Sequence, residues 1–318
     1  MTYSAGSTIL DDDYNLFANG TTGSGSPGSG VENLNYPGGT GAGTYGWGQS
    51  GDIATVAAGT TITATQWVTL LNRMVLMGQH TNATLTSITN PSAGDTIAAY
   101  SALSNNIDAI WSQRNNASLI GASITTNGAS STTSSWSSTA NVQKTITFGS
   151  ADEARYFFNA GGRILLTLSR TGGSSTDLNS AWSTLLTNVG TLVLTGSDFG
   201  VSIGGTSYQG FTKIGGGGSP STYDRTGAFS QVLAATTRYF QTGAAYLYTS
   251  NTVDIRISKA SDSASWTFFV YLVDGDSDPG DSVDGTLTAT WTISQPSTSY
   301  ISNTWGTPSM NSTSWTVS

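Results

Sequence analysis

Trp266-Thr267-Phe268-Phe269-Val270-Tyr271-Leu272 decides the fold. Trp266, Phe268, Val270 and Leu272 take alternate positions, the period of a strand that buries one face. The same period runs outward on both sides. Ile146 and Phe148, then Ile164, Leu166 and Leu168, then Val253, Ile255 and Ile257 precede it; Leu287, Ala289, Trp291 and Ile293 follow. Alternation in so many segments predicts half-buried antiparallel strands over residues 142–295, a β-sandwich of jelly-roll type. Two short helices interrupt it. Ser150-Ala151-Asp152-Glu153 reads as a capping box that opens Ala154 to Phe158, with Gly161-Gly162 as the stop. The second carries Trp182, Leu185, Leu186 and Val189 on one face and ends at Gly190. The glycine-rich stretch 200–218 predicts an exposed loop.

Upstream the period changes. Ala5-Gly6-Ser7-Thr8-Ile9, Ala58-Gly59-Thr60-Thr61-Ile62 and Ala93-Gly94-Asp95-Thr96-Ile97 all read A-G-x-T-I, each before a stretch of helical spacing. A turn, a polar cap and an inward Ile make a docking device, so residues 1–120 read as a helical docking module with glycine-rich loops. The first helix is predicted from Leu10 to Phe17, with Leu10, Tyr14 and Phe17 on one face and Asn19-Gly20 as its stop. A loop from Thr21 to Gly51 holds Tyr36, Tyr45 and Trp47 and reads as a wrapping segment or a linker. Thr63-Ala64-Thr65-Gln66 is a capping box. Trp67, Leu70, Leu71, Met74 and Val75 follow as one buried stripe, and Gly78 is the expected C-cap. A third helix, about Thr96 to Arg114, carries Tyr100, Leu103, Ile107, Ile110 and Trp111. The fold class is therefore α+β, a small helical module followed by the sandwich. Residues 121–141, rich in Ser and Thr with Trp136 as the one large residue, read as a linker. Residues 296–318, with Tyr300, Trp305 and Trp315, read as a C-terminal arm on an adjacent subunit or a loose tail. Trp67, Leu70, Leu71, Tyr100, Trp111, Trp305 and Trp315 are the candidate interface residues.

Composition narrows the function. Only 9% of the 318 residues are charged, against about 25% in ordinary soluble proteins. With 9 Trp, 13 Tyr and 10 Phe the chain still has the means to bury a core. Its net charge is −8, and Lys144, Lys213 and Lys259 are its lysines, so no basic stripe exists to bind nucleic acid. No apolar run is long enough to span a membrane, and the first residues lack the pattern of a secretory signal. The lack of cysteine excludes disulfides, thiol nucleophiles and Cys-ligated zinc.

Chemistry is sparse. His80 is the one histidine, placed just past a helix end, and reads as a solvent-facing or capping residue; Glu32 and Glu153 are the glutamates. No nucleophile elbow or phosphate-binding loop appears, and Ser219-Pro220 after Gly215–Gly218 breaks the helix start a phosphate loop needs. Five acidic residues crowd into Asp274-Gly275-Asp276-Ser277-Asp278 and the following Asp281 and Asp284. Asp274, Asp276 and Asp278 have the alternate spacing of a calcium loop, but Pro279 and Gly285 stand where that loop needs Gly and Glu. A polar turn between strands is the competing reading. Asp11-Asp12-Asp13 face different ways on a helix and the remaining acidic residues are scattered, so nothing in the sequence supports a glycosidase carboxylate pair. Tyr208, Tyr223, Tyr246 and Tyr248 suit stacking on sugars or packing in a core. No enzyme and no cofactor are expected, calcium aside.

Three phrases carry a resemblance. They are Thr61-Ile62-Thr63-Ala64-Thr65-Gln66-Trp67-Val68-Thr69-Leu70-Leu71-Asn72, Ala151-Asp152-Glu153-Ala154-Arg155-Tyr156-Phe157-Phe158-Asn159-Ala160-Gly161-Gly162-Arg163-Ile164 and Val283-Asp284-Gly285-Thr286-Leu287-Thr288. In this order, with Ser/Thr/Gly-rich strands between them, they resemble virion structural proteins of tailed phages of marine and aquatic bacteria, cyanophages included. The resemblance covers roughly residues 1–295 and implies no catalytic residue. It implies a virion part, made in the host cytoplasm, whose partners are other virion proteins and copies of itself. Small helical modules that attach β-rich domains favour the tail, neck or baseplate. Capsid decoration and a host-glycan-binding tail-fibre module are the alternatives. A neutral hydroxyl and amide surface suits assembly, because desolvating it costs less than desolvating ions.

Overall fold

The computed structural model describes residues 11–19, 47–49, 53–90, 92, 100–113, 123–124, 128–195, 201–203, 206–208, 211–216, 222–223, 237–243, 250–260, 264–275 and 281–318. The fold is α+β, with helices at the N-terminal side and antiparallel sheets after them. Two compact units emerge, each assembled from three separate stretches. One comprises Met1–Leu119, Arg155–Gly161 and Pro296–Thr304; the other Ile120–Ala154, Gly162–Gln295 and Trp305–Ser318.

The helical unit contains α1 (Asp11–Asn19), α2 (Ala64–Thr81) and α3 (Tyr100–Gln113). The Gly59 turn of the second A-G-x-T-I phrase is tied to α1 by Gly59 N–H donating to Asp11 Oδ2 at 3.2 Å. The first and third phrases lie outside the described residues. The capping box forms as the sequence requires: Gln66 N–H donates to Thr63 Oγ1, and Thr63 N–H to Gln66 Oε1. Trp67, Leu70, Leu71, Met74, Met77, Gly78 and Thr81 form the buried stripe. Two expectations are corrected here. Val75 is 43% exposed, because it sits about 100° round the helix from Met74, the centre of the stripe. Gly78 is not the cap either. It lies inside α2 under Leu85, and Asn82 caps the helix in the left-handed conformation.

The β-unit holds β1 (Ser123–Ile124), β2 (Ala129–Thr132), β3 (Thr139–Thr147), β4 (Arg163–Thr171), β5 (Thr191–Leu194), β6 (Val201–Ile203), β7 (Thr206–Tyr208) and β8 (Phe211–Ile214). It continues through β9 (Thr222–Tyr223), β10 (Thr237–Gly243), β11 (Thr252–Lys259), β12 (Ser265–Val273), β13 (Thr286–Ser294), β14 (Ser309–Met310) and β15 (Thr316–Val317). One sheet runs β8-β5-β4-β13, with β1 and β2 both paired to β13; the other runs β9-β10-β11-β12-β3, with β14 and β15 both paired to β3. β6 and β7 form a separate pair, so stretch 200–218 carries short strands where a loop was expected. Alternate residues of β12 and β13 are buried along their whole length. The buried faces of the two sheets meet, with the Lys144 ammonium of β3 5.3 Å from the ring centroid of Trp291 on β13. Jelly-roll wrapping is not seen among the described strands. Sequence neighbours β4 and β5, and β10, β11 and β12, lie side by side within one sheet, whereas a jelly roll sends them to opposite sheets.

Helix α4 (Ala151–Asn159) opens with Glu153 N–H donating to Ser150 Oγ at 3.1 Å, and the Glu153 carboxylate accepts from Gly149 N–H. Helix α5 (Asp177–Val189) buries Trp182, Leu185, Leu186 and Val189 and ends at Gly190, as its spacing predicts.

Residues 121–141 are no simple linker. They supply β1, β2 and the start of β3, and Trp136 is buried, bridged to Val283 through both backbone hydrogen bonds and set edge-on to Trp182 at 4.7 Å. Residues 296–318 pack on their own chain. In the helical unit Gln49 Nε2 donates to Ser302 O and Ser302 N–H returns a bond to Gln49 Oε1. In the β-unit Trp305 Nε1 donates to Gln295 Oε1, Trp315 Nε1 to Ser130 O, and Lys144 Nζ to Asn311 O at 2.9 Å.

Candidate functional site

A groove of about 630 Å³ lies beside α2 in the helical unit. One wall is the outer flank of the helix, where Asn72, Val75 and Gln79 follow one another at helical spacing. The left-handed Asn82 turns the chain back, and residues 83–90 form the opposite wall. That wall is fixed at two points. Buried Asn106 of α3 takes Thr86 N–H on Oδ1 and gives Nδ2 to Thr86 O, both at 2.8 Å. Leu85 lies directly against Gly78, where a Cβ would stand 2.4 Å from Leu85 Cδ1. Tyr300, 38% exposed, completes the rim.

His80 belongs to the last turn of α2 and is fully buried, which corrects the solvent-facing, post-helical expectation. Its Nε2–H donates to Ala160 O at 3.1 Å, and its ring meets Trp47 edge-on at 4.8 Å. Nδ1 is buried with no partner among the described residues. Burial pushes the imidazole pKa down to about 4, against the smaller opposing pull of the Ala160 carbonyl. The ring is therefore neutral at pH 7.

The Asp-rich turn divides. Asp276 and Asp278 lie outside the described residues. Asp274 is half-buried, its N–H bonded to Ser138 O at 2.8 Å. Among the described residues no three His, Cys, Asp or Glu gather as metal ligands. Asp284 instead joins a clip. Its carboxylate accepts from Ser174 N–H and Oγ, from Asn179 Nδ2 at 2.5 Å and from Arg170 Nη2 at 3.2 Å. Arg170 Nε also donates to Asp284 O, and Asp284 N–H to Asn179 Oδ1. The Ser174 backbone N–H, helped by the Ser174, Asn179 and Arg170 side chains, holds the carboxyl below its usual range despite some desolvation. β4, α5 and the entry to β13 are thereby locked together.

Neighbouring glycines test this clip. Gly285 has φ +92°, and a Cβ there would fall 2.7 Å from Thr171 O; Gly172 has φ +69° with open space around it. Gly285→Ala is expected to cost more than about 2 kcal/mol, Gly172→Ala only about 1 kcal/mol. Urea midpoints measure both, and equal losses would contradict the close packing.

The interface candidates are distributed otherwise than expected. Trp67, Leu70, Leu71, Trp305 and Trp315 are interior to the chain's own fold, since the stripe that seats a helix in its own core has the same spacing as one that seats it on a partner. Tyr100 and Trp111 belong to α3, with side chains outside the described residues. So do the side chains of Tyr208 in β7 and Tyr223 in β9, while Tyr246 and Tyr248 lie outside altogether. Lys144, in the sequence simply one of three lysines, shares the inward parity of Ala140, Val142 and Ile146. Burial draws its pKa down. No helix among the described residues is long and apolar enough to cross a membrane. No family model matches the chain, and neither a curated protein nor a solved structure does.

Proposed function

We propose that the chain is a non-enzymatic structural protein of a phage virion, belonging to the tail, neck or baseplate apparatus. The observation that carries this reading is how its perturbed polar groups are used. His80, Lys144 and Asp284 each grip the chain's own backbone, at Ala160, Asn311 and Ser174. Groups so engaged hold shape. With 9% charged residues, the surface is one that identical copies and other virion proteins can cover at modest desolvation cost. The resemblance of Thr61–Asn72, Ala151–Ile164 and Val283–Thr288 to virion proteins supplies the setting.

Immunogold electron microscopy of purified virions, with antibody against residues 142–318, tests the assignment. Label at the tail, neck or baseplate is expected. Label spread over the head would make the protein a capsid decoration, and its absence from virions by mass spectrometry would sink the virion reading.

A further inference from the structure

We propose that the groove beside α2 binds an uncharged glycan segment. Among the described residues the lining carries no Asp, Glu, Lys, Arg or His, so a charged ligand would find there no partner for its ion and would lose hydration on entry. What the lining offers instead is four carboxamides, Asn72, Gln79, Asn82 and Asn90, together with the hydroxyls of Thr86 and Ser87. Each carboxamide presents a donor and an acceptor side by side, and each hydroxyl acts as either. Sugar hydroxyls need this same mixture.

Sugar rings also have apolar C–H faces. Val75, Leu85, Ile88 and the exposed ring of Tyr300 supply the matching surface. The volume of about 630 Å³ falls within the range of small-ligand sites, about 300–1,000 Å³. Preorganisation favours binding further. The double clasp of Asn106 on Thr86 and the seat of Leu85 on Gly78 hold the second wall before any ligand arrives, which lowers the ordering cost of binding. A docked helix is the poorer match. It needs apolar anchor sites and little else, whereas here Asn72, Gln79, Asn82 and Asn90 line the groove alongside the apolar residues. The site is distinct from the tyrosines of the β-unit, and it does not rest on the virion reading. Sugar binding can fail while virions still label, and the reverse.

Saturation-transfer difference NMR on the full chain, with cellohexaose, maltohexaose and chitohexaose at millimolar concentration, tests it. At least one hexaose is expected to bind. Tyr300→Ala, and the double change Asn72→Ala with Gln79→Ala, are expected to weaken that binding at least about tenfold without moving the urea midpoint. A charged hexamannuronate is expected not to compete. The proposal is overturned if none of the three hexaoses binds, if binding survives both variants, or if hexamannuronate competes equally. Self-association in sedimentation velocity that V75D abolishes, without sugar binding, would overturn it too and assign the groove to a second copy.

Discussion

A chain cut after Thr304 is expected to lose the cooperative unfolding transition of the β-unit. The cut removes Trp305, Met310 and Trp315, all buried, together with β14 and β15. Losing a buried Trp side chain alone costs about 3–5 kcal/mol, and two such losses rival the roughly 5–15 kcal/mol that stabilises a whole domain. Damage extends beyond the missing contacts. β3 loses its pairings with Ser309–Met310 and Thr316–Val317, and Lys144 is left in the core without the Asn311 carbonyl. A buried cation robbed of an acceptor costs more than the bond was worth. Near-UV circular dichroism and urea unfolding of the truncated chain provide the measurement. A sharp transition at the full-length midpoint would show that residues 305–318 are ornamental.

Acid should loosen the helical unit through His80. Its folded pKa is about 4, below the ordinary 6.5 or so. Above pH 6.5 neither state is protonated and nothing is lost. As pH falls from 6.5 toward 4, the unfolded chain takes up a proton that the buried ring refuses, so stability declines, by about 3 kcal/mol in all. Urea titrations of the natural chain and of His80→Gln at several pH values isolate this loss from that of the carboxylates. The natural chain is expected to lose more stability over the window. Parallel decline of the two proteins would mean that His80 does not couple folding to protons.

Strands were legible wherever one residue in two is large and apolar, because that period has a single structural meaning. β12 follows it throughout, and β13 departs from it only at the small Ala289. β2 escaped notice for a physical reason. Its inward residue, Ser130, is seated by Trp315 and Thr313, which bond to it from more than 180 positions away. Short-range patterning carries no trace of such partners. Val75 follows Trp67 and Leu71 at steps of four, and because a turn takes 3.6 residues each step drifts about 40° round the helix, which carries Val75 out of the stripe. His80 looked exposed because the carbonyl that holds it lies 80 positions further on. The groove was invisible for the same kind of reason, since Tyr300 joins residues 71–90 only once the chain has folded.

The division of residues 296–318 between both units also sets a clock. At a synthesis rate of about 5–20 residues per second, β3 waits roughly 10–30 s for β14 to be made. The helical unit waits as long for its own closing stretch, Pro296–Thr304. A growing chain therefore stays unfinished in both halves at once, and both close in quick succession when residues 296–318 emerge. A product that stops short of residue 296 thus lacks the closing stretch of both units.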